Sequence, residues 1–351
     1  MKGKVRGIKP AGLKHLPLKP TVIHGKNKVT IGDRRFNPQK DVKQPNNTSK
    51  KQHNINDVET VDSKKMHPLE TNKNFKHLNG VYTTEIGGSR YYYKPKSEEK
   101  MTINKSKGEK EFVRNGIKND RLHEREALAY DISKDLGMDF IPPTKMVKDE
   151  KGREGVIQKS AQEFEANKTP DKNVEFTKIQ DMTNGRIMDS MDNGNGMDVA
   201  VFDFIVGNTD RSGSNMFIRN DNNNIVGIDN ALSFPVHQRD ALSSDYVKTA
   251  ELMWKNSFLS GDAKMSNKLM KSITSEKTFN KIAERLLNSN IEDEAKFGAL
   301  FRLSALDEYI SKNKVKSFTS FDFANVLKPF IQNTPNAGVR NRLKMVMDNP
   351  F

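Results

Sequence analysis

Residues 202–215 read FDFIVGNTDRSGSN, and residues 225–236 read IVGIDNALSFPV. Asp210 and Asn215 stand five positions apart in a polar loop that follows the apolar run Met197 to Val206. The run predicts a buried helix. Phe217 to Arg219 and Ile225 to Ile228 predict two short strands around a turn at Asp221 to Asn224, and Asp229 closes the second strand. That order makes a hairpin which returns a second carboxylate beside the first. Phosphoryl transfer needs such a set. One carboxylate orients or deprotonates the attacking hydroxyl, while an amide oxygen and a second carboxylate hold Mg²⁺ against phosphates. Each residue alone is ordinary turn material, so order and placement give the set its weight.

Working outward, an Asp-to-Asn spacing of five is also that of the kinase catalytic loop. Upstream, Val81 to Ile86 and Arg90 to Lys94 predict a hairpin turning at Gly87-Gly88. Arg121 to Leu136 predicts a helix, with Leu128, Ile132 and Leu136 on one face, Asn119 or Asp120 as the cap and Gly137 as the stop. Lys145 to Val147 and Gly155 to Gln158 predict a second hairpin through Asp149 to Arg153. The first half therefore reads β-β-α-β-β. The second is mostly helical, with amphipathic helices expected near 244–259, 265–288, 292–312, 319–332 and 336–348. The class is α+β.

Lys94, closing the strand YYYKP, is suited to neutralise the α- and β-phosphates of ATP. Such a lysine is held by a helix carboxylate. Glu126 is the natural partner and Glu124 the second choice. Gly87 and Gly88 offer backbone N–H groups that can cover phosphates, though an ordinary hairpin turn reads the same way. The sequence has no G-x-x-x-x-G-K-[ST], which excludes a P-loop enzyme.

The chain has 351 residues, 34% of them apolar, with a formal net charge of +14 and no cysteine; its mean hydropathy is −0.78. The missing cysteine excludes a disulfide scaffold, a zinc finger and a thiol nucleophile. Residues 1–70 hold 13 Lys and 3 Arg against 6 Asp or Glu, so most of the excess charge lies there. Such a segment is suited to an acidic protein, nucleic acid or an anionic surface, and equally to remaining as a solvated tail. The start lacks the apolar run of a standard secretory signal, and no apolar stretch of about 18 residues predicts a membrane span. A cytoplasmic location is the expectation.

YYYKP, REALAYDISKDLGMDFIPPT, VIQ, FDFIVGNTDRSGSN and GIDNALSFP, in that order, resemble the phosphatidylinositol 3- and 4-kinase-like and HipA-like atypical kinases, the bacterial members above all. The resemblance covers about residues 78–236. It implies a two-lobed kinase-like fold. Composition marks 1–74 as a basic, largely extended or disordered segment, so a small β-rich N-lobe with one helix is expected over 75–165 and a helical C-lobe over 166–351. It makes Lys94 the ATP lysine and Glu126 its partner, and it sets Val156 to Gln158 as the hinge beside adenine. Asp210 becomes the catalytic Asp, with Asn215 and Asp229 binding Mg²⁺. Two positions depart from the family pattern: Ser212 stands where a His is frequent, and Asp229-Asn230-Ala231 lacks the usual Gly. The expected activity is Mg²⁺- and ATP-dependent phosphorylation of Ser or Thr in a protein, or of the chain itself. Alternatives are a phosphoinositide kinase, another transferase such as a nucleotidyl transferase, and a non-enzymatic nucleotide-binding or structural module, for instance in a phage or mobile-element assembly.

Overall fold

The computed structural model describes residues 29–31, 34–36, 55, 58–69, 80–99, 112–114, 116–118, 121–166, 176–178, 189–190, 194–211, 213–236, 241–242, 263–333, 337–338 and 340–341. Two short antiparallel pairs stand apart from the main sheet: β1 (Val29–Ile31) with β2 (Arg34–Phe36), and β7 (Phe112–Arg114) with β8 (Ile117–Lys118). The fold is α+β, with a β-sheet N-lobe and a helical C-lobe.

The N-lobe sheet comprises β3 (Thr60–Val61), β4 (His67–Pro68), β5 (Tyr82–Ile86), β6 (Ser89–Pro95), β9 (Thr144–Asp149) and β10 (Glu154–Lys159). Its strand order is β3-β9-β10-β6-β5-β4. Both expected hairpins are present, β5–β6 through Gly87-Gly88 and β9–β10 through the Asp149 turn. That turn is built by the Asp149 carboxylate, which accepts from the backbone N–H of Lys151 and of Arg153, both at 2.9 Å. Strand β6 alternates as a two-faced strand must. Tyr91, Tyr93 and Pro95 are buried on one face, while Tyr92 and Lys94 are half-buried on the other.

The sheet begins earlier in the chain than the sequence suggests. Ile55, Val58 and Val61 pack with Tyr91, Tyr93, Val147 and Ile157 into one core cluster. Strand β3 pairs parallel to β9, Thr60 opposite Lys148. The N-lobe expected over 75–165 thus already includes residues 58–69. Apolar residues spread thinly among polar ones gave no periodic signal there, because they cover a sheet face from outside its regular strands.

Helix α1 (Leu122–Asp135) starts after Arg121, which makes no side-chain cap. The cap comes from Glu99, whose carboxylate accepts from the N–H groups of Leu122 (3.3 Å) and His123 (2.9 Å). Asn119 and Asp120, the expected caps, lie outside the described residues. Gly137 ends the helix at φ 75°, a conformation suited to glycine. Short helix α2 (Ala161–Ala166) follows β10.

Helix α3 (Gly196–Val206) is buried along nearly its whole length. Phe202 meets Phe140 edge-on at 5.1 Å, and Phe204 meets Phe330 at 5.0 Å. Strands β12 (Met216–Arg219) and β13 (Ile225–Gly227) pair as expected, and β11 (Phe176–Lys178) adds a third strand. Behind them lie α4 (Asn267–Ile273), α5 (Glu276–Asn288), α6 (Asp293–Lys312) and α7 (Ser320–Gln332). The single helix expected over 265–288 is two. Ser275 caps α5 by accepting from the Thr278 N–H, which breaks the chain after Ile273. The helix expected at 244–259 falls outside the described residues, as does most of that at 336–348. Among the described residues no helix is long and apolar enough to cross a membrane.

Val61 is fully buried against the tyrosines of β6. Val61→Ala is expected to lower stability by about 1–3 kcal/mol, read by chemical denaturation. No loss would mean that this segment does not belong to the N-lobe core.

Candidate active site

Strand β6 sets Lys94 opposite Val156 of β10, and α1 crosses this face of the sheet. Lys94 Nζ donates to Glu126 Oε2 at 2.9 Å and to Asp229 Oδ1 at 2.9 Å. Glu126 is fully buried. Its other oxygen accepts from the Asn230 backbone N–H at 3.0 Å and from Gln158 Nε2 at 3.3 Å. Gln158 is in turn held by Thr144 Oγ1 at 2.9 Å. One carboxylate thus joins two strands, α1 and the loop after β13. Burial works against the Lys94 charge, but Asp229 and Glu126 outweigh it and hold the ammonium above its ordinary value of 10.5.

Glu124, the second choice for Lys94, faces elsewhere: its Oε1 accepts from Arg121 and Asn290. The Gln158 side chain, expected beside adenine, is spent on Glu126 and Thr144. Gly87 and Gly88 are not brought to the site. Tyr82 pairs with Tyr93, so the Lys94 end of the β5–β6 hairpin is the end where β5 begins. The Gly87-Gly88 turn closes the opposite end, roughly 17 Å from Lys94 at about 3.3 Å per residue.

The loop after α3 leaves the helix through Gly207 at φ 63°. A Cβ there would lie 2.8 Å from Pro235 Cδ and 2.9 Å from Arg302 Nη2, so the turn requires glycine. Asn208 Oδ1 accepts from the Asp210 N–H at 2.9 Å. Asn215 Nδ2 donates to the Asp210 carbonyl at 2.9 Å and to its Oδ2 at 3.2 Å. Because the amide is planar, this turns Asn215 Oδ1 away from Asp210. Ile228 N–H donates to the Asn215 carbonyl at 3.0 Å, which sets Asn215 beside Asp229. Ser212 lies outside the described residues.

Asp229 adopts φ 54°, a left-handed conformation uncommon for a residue with a side chain. Its carboxylate is about half exposed, at 47%. Lys94 is set against two carboxylates, Glu126 and Asp229. Among the described residues no three His, Cys, Asp or Glu side chains gather as a metal cage. Asp229 and the Asn215 amide are hard oxygen donors, the kind Mg²⁺ takes together with substrate phosphates and water. The residues therefore fit the ion.

Residues 197–314 match the family model described as phosphatidylinositol 3- and 4-kinase. Over that stretch the chain is similar to this kinase family. The matched stretch holds Asp210, Asn215 and Asp229, while Lys94 and Glu126 precede it. The chain also aligns with the crystal structure of a Helicobacter pylori proinflammatory kinase, CtkA, at 13% identity and a TM-score of 0.38, over 77% of this chain and 99% of that one. No curated protein matches it.

Two buried arginines of the chain escaped the sequence reading. Arg211 grips Asp203 of α3 with Nε at 2.9 Å and Nη2 at 3.1 Å. It also donates to the carbonyls of Asn215 (3.3 Å) and Ile228 (2.9 Å) and to Asn230 Oδ1. It thus ties both loops to the core helix. Burial pushes the Asp203 carboxyl above its ordinary value while Arg211 pulls it back. An Asp in the middle of an apolar helix was the available signal, since such a group needs a charged partner. Arg125, next to Glu126, donates to the carbonyls of Ser233 (2.8 Å) and Phe234 and pairs with Glu292 ahead of α6.

Arg211→Leu leaves Asp203 buried without its partner. The expected cost is about 3–5 kcal/mol, read by thermal or chemical unfolding. Arg211→Lys is expected to recover only a minor part, because an ammonium cannot reproduce the two-pronged contact. Full recovery would show that charge alone, and not the fork, holds the loops.

Proposed function

We propose that this chain transfers the γ-phosphoryl group of Mg²⁺-bound ATP to a Ser or Thr hydroxyl of a protein or of itself. The observation that carries the reading is the Lys94 bridge, at 2.9 Å to Glu126 and 2.9 Å to Asp229. It joins the N-lobe sheet to the segment bearing Asp229, Asn215 and Asp210.

Each residue then has a task that its setting supports. Lys94 stays protonated and neutralises phosphate oxygens. Glu126 fixes the lysine's direction and is itself fixed by Gln158 and Asn230. Asp229 and Asn215 Oδ1 would hold Mg²⁺, which supplies charge neutralisation at the phosphates. Asp210 orients the acceptor hydroxyl and takes its proton as the new O–P bond forms and the bond to the leaving ADP oxygen breaks. Positioning and charge stabilisation do most of the work in phosphoryl transfer, which suits residues braced as heavily as these.

The resemblance to HipA-like bacterial kinases favours a protein hydroxyl. The description of the matched family favours a phosphoinositide as the second reading. Radiolabelled ATP incubated with mixed lipids and with cell lysate separates them by where the label lands. Asp210→Ala is expected to lower transfer by about 10²–10⁴-fold while ATP still binds. Asp229→Ala is expected to abolish Mg²⁺-dependent ATP binding. If both variants match the unaltered chain in turnover and autophosphorylation, the chain is not an enzyme at this site.

The raised Lys94 value sets a further expectation. A lysine whose proton is held more tightly in the folded chain keeps its charge below its ordinary value of 10.5. ATP affinity should therefore not fall between about pH 7 and about pH 9 through loss of this charge. A fall that Lys94→Arg removes would contradict the assignment.

A further inference from the structure

Strand β9 opens with Thr144, directly opposite Gln158 of β10. Both side chains are buried. The Thr144 hydroxyl donates to the Pro142 carbonyl at 2.7 Å. The same oxygen accepts from Gln158 Nε2 at 2.9 Å, and that nitrogen also donates to Glu126 Oε1 at 3.3 Å. A line of hydrogen bonds thus runs from the start of β9 to the carboxylate that holds Lys94.

The polarity of this line is set at its Pro142 end. A carbonyl oxygen can only accept, and a hydroxyl has one proton to give. With that proton on Pro142, the Thr144 oxygen offers Gln158 only lone pairs. Gln158 must therefore turn its NH₂ toward Thr144, and the second hydrogen of that group falls to Glu126. The opposite turn would set the amide oxygen against the Thr144 oxygen and Glu126 Oε1, acceptor facing acceptor in a buried place. A valine would fill the volume of Thr144 and suit a strand as well, and a buried hydroxyl costs free energy unless it is bonded. The hydroxyl is thus the part of Thr144 that the strand itself does not require.

We propose that Thr144 is a positioning residue for phosphoryl transfer. It sets the direction of the Gln158 amide, which presents its N–H to Glu126 and so aims that carboxylate at Lys94. Asn230 N–H reaches the same Glu126 oxygen at 3.0 Å. Were Gln158 turned, that bond alone would hold Oε1, and Oε2 would be less firmly kept on Lys94. The effect of Thr144 on turnover rests on the phosphotransferase reading, whereas its effect on Lys94 does not.

The test compares Thr144→Val, which keeps the shape and loses the hydroxyl, with Thr144→Ser, which keeps the hydroxyl. Turnover is measured in the full chain with Mg²⁺ and ATP. The Lys94 side chain is 22% exposed, and its rate of labelling by an amine-reactive reagent is read by peptide mass spectrometry against the other lysines. Thr144→Val is expected to lower kcat about tenfold while KM for ATP changes less than about threefold. It is also expected to speed Lys94 labelling, because an ammonium released by a carboxylate holds its proton less firmly. Thr144→Ser is expected to keep kcat and labelling near those of the unaltered chain. In a Gln158→Leu background, Thr144→Val should add little, since residues acting through one another are not additive. Equal losses in Thr144→Val and Thr144→Ser, a loss carried by KM alone, an undiminished loss in the Gln158→Leu background, or kcat and labelling unchanged in Thr144→Val would each overturn the assignment. If the unaltered chain transfers no phosphate, the phosphotransferase reading falls instead, and Lys94 labelling alone then decides the role of Thr144.

Discussion

A carboxylate with no solvent exposure can be kept in a folded protein only if its oxygens are filled. Glu126 is filled from three directions: the β6 lysine, the β10 glutamine and the backbone N–H of Asn230. These donors are spread over residues 94 to 230, so meeting the need of one acid fixes the N-lobe sheet, α1 and the loop after β13 in register. Buried ion pairs contribute little net stability against an apolar replacement. The arrangement is better understood as setting geometry than as holding the fold together. Cohesion comes from the apolar helix α3 and the aromatic contacts around Phe204.

The helix bearing Glu126 is itself bolted to the C-lobe. Arg125 reaches Glu292, Arg285 reaches Asp131 and Asp135, and Asn290 reaches Glu124. Such ties oppose a swing of α1 away from the sheet. They also explain how strained backbone persists nearby. Asp229 at φ 54° and Phe234 at φ 60° each cost on the order of 1–3 kcal/mol. The surroundings over-determine both. Phe234 N–H donates to the Val206 carbonyl at 2.7 Å, and the Thr209 N–H to that of Leu232 at 2.9 Å. The last turn of α3 and the loop after β13 are laced together, and the strain sits where a half-exposed carboxylate must be presented.

Much of this was legible in the sequence because it is local. The spacing of Asp210 and Asn215, the hairpin leading to Asp229 and the glycine stop at Gly137 are each set within a few residues. The pairing of Lys94 with Glu126 was legible only through the order of the motifs. What escaped depends on pairings between distant segments. Ile55, Val58 and Val61 were hidden among charged residues because three side chains covering a sheet have no period of their own. Arg125 and Arg211 look like surface arginines until the acids and carbonyls they serve are seen from several elements at once.

Lys94 shows what the assembled geometry asks of a substrate. Its ammonium divides between Glu126, which has no solvent to fall back on, and Asp229, which is half exposed. The two contacts are equal in length but not in consequence. Losing Glu126 would strand a buried carboxylate, whereas Asp229 can exchange the lysine for water. Under the proposed function, phosphate oxygens competing for the ammonium would displace the contact to Asp229 rather than the one to Glu126. Asp229 would then be left with a free carboxylate oxygen, which could serve as a Mg²⁺ ligand, and the buried Glu126 would make that exchange one-sided.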